Sequence, residues 1–389
     1  MVLFLTPVLA CLLVSLSAAQ VRGSETAGKS DNQIRSTFPL TKFYDTPEPL
    51  PSGNPGELIR AEEFTSYDLP PGVVAVRILY HSRSAHDQDV AASGVVLYPD
   101  AKPPLKGWPV IAWAHDLSGV ARQCAPSLAR NLERGPFLSM YAGIGYAVVA
   151  TDYTGLGTEY RHAFRDIGSN ARDVIYAIPA AHKAVPELGS EWIAMGYGNG
   201  GLTVIGTAES GLPVDHHYLG GIVLAGLAGL ETVDRTAGDS PLSVVYGVKT
   251  VFPEFEVKDV LTQTGLALYQ KLEQNCAEPA PQQKSAGELL KPNWQKNHYV
   301  EQYFSRNTVG EKPARGPFLV IASEANSRTG SGTEQVVRRM CQQGDRVEFE
   351  KYSNPDPGNI IGDSVTDQMA WIQGRFAGRP APGNCPGQP

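Results

Sequence analysis

Met195-Gly196-Tyr197-Gly198-Asn199-Gly200-Gly201 joins two stretches of different character, and its reading decides the fold. The run before it, Trp192 to Met195, is apolar as a buried strand requires, and Asn199 to Glu209 after it reads as a helix. Small residues two before and two after Gly198 let a strand turn abruptly into a helix. Such a turn holds a reactive side chain at its tip, clear of the sheet. Here the tip is Gly198, which has no side chain to offer. The tip normally sits at strained backbone angles, at a cost of order 1–3 kcal/mol, and glycine reaches positive φ with little penalty. A positive φ at Gly198 is therefore expected.

Working outward, strand-like runs occur at Val73 to Tyr80, Ala92 to Leu97, Pro109 to His115, Tyr146 to Asp152, Trp192 to Tyr197, Gly221 to Leu227, Phe318 to Ser323 and Arg346 to Tyr352. Helix-like stretches separate most of the later ones, at Ser169 to Ala184, Asn199 to Glu209, Thr333 to Gln343 and Ser364 to Ala377. Strands alternating with helices predict an α/β fold, a mostly parallel sheet flanked by helices on both faces. Ligands gather at the carboxyl ends of strands in such sheets, where His115, Asp152, Tyr197 and Ser323 fall. One segment, 231–310, breaks the alternation with amphipathic pieces such as Tyr246 to Tyr269, and its position predicts a helical cap or lid over the pocket. The core is then 64–230 and 311–389. Residues 20–63, rich in Pro, Gly, Ser and charge, read as an extended N-terminal arm.

The 389-residue chain carries a net charge of −7 and 42% hydrophobic residues, enough for one large domain with an insertion. No basic cluster is present, which argues against nucleic acid as a partner. Residues 1–19 form an apolar run ending in Ser17-Ala18-Ala19, which reads as a cleavable signal peptide and implies a protein that is secreted or held in the secretory-pathway lumen, without a transmembrane span. The sequence does not fix the oligomeric state, for which a monomer is the expectation. Cleavage would leave Cys124, Cys276, Cys341 and Cys385, an even count that suggests two disulfides in an oxidising compartment. Three pairings are open. The cysteine spacing does not suit zinc, and Asp215-His216-His217 lacks a third ligand, so neither a metal nor a cofactor is expected.

Four further stretches carry a resemblance. They are WAHDLSGVARQCAPS (Trp113 to Ser127), GYAVVATDYTGLG (Gly145 to Gly157), the run from Gly316 to Tyr352, and the close of the chain from Asp356 through Arg-Phe-Ala-Gly-x-Pro-Ala-Pro-x-x-Cys to Cys385. From about Arg77 to Cys385 the chain resembles the secretory lipase family, lipase A-like α/β-hydrolases. The resemblance implies the α/β-hydrolase fold, and it favours pairing Cys124 with Cys276 and Cys341 with Cys385. It also identifies Gly196 to Gly200 with the nucleophile elbow. Where the family has an acid in Gly-x-Ala-Asp and a histidine in Asp-His-Gly-Gly, this chain reads Glu324-Ala325-Asn326 and Asp356-Pro357-Gly358-Asn359. By that resemblance nucleophile, orienting acid and base have become Gly198, Asn326 and Pro357. Asp116 stands where the family's oxyanion loop usually has glycine.

A serine hydrolase needs an oxygen nucleophile, an imidazole base and an acid that fixes the imidazole's tautomer, and no single reversion restores that set here. A misaligned triad would need His298 or His162 to serve a displaced serine such as Ser118. His115 and Asp116 are candidates for proton donor and acceptor, with satisfying loop amides as the plainer role. Tyr197, Tyr153, Asn199 and Ser118 flank the expected pocket and could orient a carbonyl, while Asn199 also reads as a helix N-cap and Asp152 as a loop anchor. The sequence thus predicts a pseudo-hydrolase with a lipophilic small-molecule pocket, repurposed for cyclisation, elimination or isomerisation in secondary metabolism. A secreted decoy that binds lipid or a partner is the alternative.

Overall fold

Alternation of side chains across strands is what builds this molecule, because each central strand must satisfy two apolar faces at once. In the computed structural model, which describes residues 37–212, 217–224, 241–276, 286–323, 327–353 and 359–385, nine strands form one sheet. They are β1 (Leu58–Glu63), β2 (Val73–Arg83), β3 (Asp89–Pro99), β4 (Trp108–Ala114), β5 (Ala147–Thr151), β6 (Leu188–Tyr197), β7 (Tyr218–Leu224), β8 (Phe318–Ser323) and β9 (Val347–Tyr352). The order across the sheet is β1-β2-β3-β5-β4-β6-β7-β8-β9. β1 to β3 run antiparallel, β3 pairs antiparallel with β5, and every pairing from β5 to β9 is parallel.

Ten helices accompany the strands in the described residues: α1 (Gly135–Gly143), α2 (Ile167–Ala184), α3 (Asn199–Glu209), α4 (Pro241–Val251), α5 (Gln263–Tyr269), α6 (Ala286–Leu289), α7 (His298–Arg306), α8 (Ser327–Gln343), α9 (Ile360–Asp363) and α10 (Val365–Phe376). Trp192 and Ala194 of β6 enter the core shared with α2 and α3, while Ile193 and Met195 enter the opposite core with α1 and α10. β4 and β8 divide in the same way, with Val110 and Val320 on one side and Ile111 and Leu319 on the other. Both faces are therefore apolar and covered, as the expected α/β-hydrolase architecture requires.

The insertion between β7 and β8 holds α4 to α7 around a core of its own, including Leu242, Val248, Phe255, Leu261, Trp294 and Tyr303. The amphipathic piece from Tyr246 to Tyr269 is not continuous: α4 stops at Val251, two residues before Pro253, whose ring and missing N–H cannot continue a helix. Residues 231–240 of the expected cap lie outside the described residues.

The extended arm needs correction. Its last six residues are β1, paired with β2, and Phe43 and Tyr44 are buried. The cause is Arg77, almost wholly buried on β2 and ringed by Phe38, Tyr44, Phe64 and Tyr67, with its guanidinium carbon 3.2 Å from the Phe64 ring centre. A buried cation must be partnered. The polar-looking segment supplies the Phe38 and Tyr44 rings and the Glu62 carboxylate, 3.4 Å from Arg77 Nη1, and the residues just after it add the Phe64 ring and the Tyr67 hydroxyl, 2.9 Å from Arg77 Nε. Residues 20–36 and the expected signal peptide lie outside the described residues.

Two disulfides join Cys124 to Cys276 and Cys341 to Cys385, the pairing the resemblance implies. Among the described residues no helix is long and apolar enough to cross a membrane.

Candidate functional site

β6 ends at Tyr197 and α3 starts at Asn199, leaving Gly198 between them at φ 56° and ψ −120°. The expected positive φ is present. The flanking glycines are required by contact. A Cβ on Gly196 would lie 2.2 Å from the Gly200 carbonyl oxygen, and one on Gly200 would lie 2.0 Å from that of Ala114. Strand, turn and helix are thus pressed together through backbone alone.

Gly198 is crowded by a side chain instead. A Cβ there would stand 2.6 Å from Cγ and Oδ1 of Asp116 and 2.7 Å from Oδ2. Register explains the approach: β4 and β6 are parallel neighbours with Ala114 opposite Gly196, so the residues two beyond each, Asp116 and Gly198, come side by side. The carboxylate fills the volume in which a nucleophile's side chain would begin. Its Oδ1 accepts the Asn199 N–H at 2.8 Å. Burial pushes the Asp116 carboxyl above its ordinary range, while the amides of Asn199 and Leu117 and the charges of Arg165 and Arg134 oppose that shift.

Asn199 is not the N-cap but the first helical residue. The cap position is Gly198, which has no side chain, and Asp116 supplies the missing acceptor from the neighbouring strand end. Among the described residues, the buried Asn199 side chain has no hydrogen-bond partner for Oδ1, and the buried Ser118 has none for Oγ. Tyr197 is half-buried beneath the Arg134 guanidinium, 4.3 Å from the ring centre.

His115 is tied into the loop. Its Nδ1 lies 2.5 Å from the Asp116 carbonyl oxygen and its Nε2 3.1 Å from that of Asp152. The ring stacks on Tyr153 at 4.2 Å, and the Tyr153 hydroxyl donates to the His115 carbonyl at 3.1 Å. Because a neutral imidazole has one N–H to give and carbonyls face both nitrogens, His115 positions Asp116 and is poorly placed to donate a proton to a guest. The Asp152 carboxylate accepts from Ser127 N at 2.8 Å, Ser127 Oγ at 2.5 Å and Ser93 Oγ at 2.6 Å, a buried anchor. His162 aims Nδ1 at the Thr154 carbonyl, and His298, on α7, bonds Gln302. Neither imidazole is hydrogen-bonded to Ser118.

Asn326 and Pro357 lie outside the described residues, as do Asp215 and His216. No group of three or more potential metal-binding side chains occurs among the described residues. A cleft of about 710 Å3 opens between α10 and β9, lined by Glu348, Glu350, Asp367, Trp371 and Arg375. It is charged in character, and none of its lining belongs to the elbow.

Arg134 and Arg165 were not singled out in the sequence. Arg165 reaches the site from a loop residue at φ 64°, a conformation without a sequence signature for arginine. The place of Asp116 had a signal, since its departure from glycine accompanies the loss of a side chain at 198.

No protein-family model matches the sequence, and no curated protein matches it by sequence. Solved structures do match in shape. Candida antarctica lipase A in its closed state superposes with a TM-score of 0.77 at 16% identity, over 91% of this chain and 90% of that one. The rice cell wall degrading esterase from Xanthomonas oryzae gives 0.66 at 18% identity, over 84% of this chain and 98% of that one. With these neighbours, this sheet order and this strand-turn-helix, the chain has the α/β-hydrolase fold in its lipase A-like form.

Proposed function

We propose that this chain is a secreted, monomeric pseudo-hydrolase of lipase-like fold that binds a lipophilic small molecule at the elbow and converts it without hydrolysis, by cyclisation, elimination or isomerisation, as in secondary-metabolite biosynthesis. The observation that carries the reading is the Asp116 carboxylate standing against Gly198 where a serine would attack. The departures at Asn326 and Pro357 support it, because a proline cannot accept a proton and an asparagine cannot offset an imidazolium charge. The likeness to a lipase supports an apolar guest, and the two disulfides suit an oxidising compartment. In subtilisin, loss of the nucleophile or base alone costs about a million-fold in turnover. Purified protein should therefore leave p-nitrophenyl esters at the blank rate. Saturable turnover blocked by a serine-directed inhibitor would sink the proposal.

A second reading, a non-catalytic binder or decoy, draws on the same carboxylate. Asp116 occupies the Asn199 amide, the donor that would hold a developing oxyanion. Under that reading an apolar fluorescent probe binds equally well to the wild type and to Asp116→Asn, and no conversion depends on residue 116. The displaced-triad reading gains no support from Ser118, His162 or His298.

A further inference from the structure

Resting on the non-hydrolytic reading, we propose that Asp116 is the general base of this site, taking a proton from a substrate carbon acidified by an adjacent carbonyl or heteroaromatic ring. Gly198 and Asp116 form one device. The glycine empties the elbow, and the aspartate of the neighbouring strand end puts a carboxylate into the space, with Oδ1 committed to the Asn199 amide. Oδ2, not committed to Asn199, is the oxygen that accepts the proton. Asp116 as a residue is only partly covered and Leu117 beside it is exposed, which puts the pair near the surface of the loop. Two oxygens on residues close to Gly198 and Asp116 in the chain, Asn199 Oδ1 and Ser118 Oγ, are buried and have no hydrogen-bond partner among the described residues.

A helix-capping role alone accounts for the Asn199 bond but leaves those two oxygens without purpose. Desolvation strengthens the base, and the titratable or charged groups around it include Arg165, Arg134, Tyr153 and His115, whose Nδ1 lies 2.5 Å from the Asp116 carbonyl oxygen. In an elimination the C–H electron pair forms a new π bond as the bond to a leaving atom breaks, and the proton passes from Oδ2 to solvent. In an isomerisation that pair forms a π bond as the carbonyl π pair moves onto its oxygen, and the proton returns from Oδ2 to a different carbon. Substrates of this class are eliminated or isomerised and gain no water.

The test uses the full mature chain and nitrobenzisoxazole, whose ring opens to a coloured cyanonitrophenolate when a base removes its carbon-bound proton. Wild type is expected to open it about a hundredfold faster than Asp116→Asn. The rate should rise with pH through a midpoint above the ordinary carboxylate range. Asp116→Glu should recover part of the rate, and Gly198→Ala, which evicts the carboxylate without removing it, should lose most of it. If Asp116→Asn fails to fold, the Gly198→Ala comparison carries the test. Equal rates in wild type and variants, or a pH-independent rate, overturn the role of Asp116. Ester turnover sensitive to a serine-directed inhibitor would instead overturn the non-hydrolytic reading, so the two failures are distinguishable.

Discussion

Residue 198 cannot regain a serine without a contest for space. A serine Cβ would meet the Asp116 carboxyl at 2.6–2.7 Å, and moving that carboxylate breaks its bond from Asn199. Gly198→Ser is therefore expected to destabilise by about 2–3 kcal/mol. Gly198→Ser with Asp116→Gly should cost about 2 kcal/mol less than the sum of the single changes, a coupling that denaturant unfolding of all four proteins would read directly. On the proposed reading, in which Pro357 stands at the base position, the double variant should still leave esters untouched. His162 gives a second residue-scale test. Burial pushes its imidazole down to about 4 from an ordinary 6.5. Between those values the unfolded chain binds the extra proton and the folded chain does not, so stability rises with pH across the window and is level above it. The span amounts to about 3 kcal/mol. His162→Gln, which can still donate to the Thr154 carbonyl, should flatten that part of the unfolding free energy measured from pH 4 to 6.5. The conformation of Gly198 was legible because a close-packed turn constrains its own sequence. The departure from glycine at Asp116 was legible too, but its contact with Gly198 was not, because that follows from register between strands more than 70 residues apart in the chain.

Elements were legible where one side chain meets one environment. The eight strands read from apolar runs are all present, and α3 spans Asn199–Glu209 as read, because its ends are set by the glycine turn and by exhaustion of the apolar face. β1 escaped notice because LIRAEE is polar at an edge, and its place is fixed by Arg77 rather than by its own hydrophobicity. The other edge, β9, shows how the C-terminal tail is used. Asn384 N donates to the Val347 carbonyl at 2.9 Å, and its side chain both accepts from Phe349 N and donates to Phe349 O at 2.9 Å. An otherwise open ladder is thereby covered, and Cys341–Cys385 holds the cover in place. The Cys341→Ser, Cys385→Ser double variant should lose about 2–4 kcal/mol and expose the β9 edge. Light scattering at increasing concentration should then show self-association that the wild type lacks; a monodisperse variant would argue that the tail holds without its bond.

At the scale of the molecule, the loop from Tyr153 to Asp166 carries several of the ties between the core and the inserted helices. Tyr303 of α7 donates to the Phe164 carbonyl, α4 packs so closely that a Cβ on Gly247 would stand 2.4 Å from that same oxygen, and Arg161 lies 4.1 Å over the Tyr246 ring while pairing with Glu273 at 3.3 Å. Exposed ion pairs of this kind contribute little, so the covalent tie matters more. Cys124 follows the loop after β4, Cys276 follows α5, and 152 residues separate them in sequence. Closing a loop of that length stabilises by up to about 5 kcal/mol on the chain-entropy estimate. The Cys276 backbone also presses on Gly119, where a Cβ would meet its carbonyl oxygen at 2.6 Å, so the bridge fixes the loop that carries Asp116. Cys124→Ser with Cys276→Ser should therefore act at two places. Limited proteolysis should cut first within the insertion, with the sheet core still intact, and the Asp116-dependent opening of nitrobenzisoxazole should fall before the core melts. If both signals instead disappear together at a single lowered melting temperature, the insertion and the core unfold as one cooperative unit, and the bridge contributes global stability without a separate hold on the site.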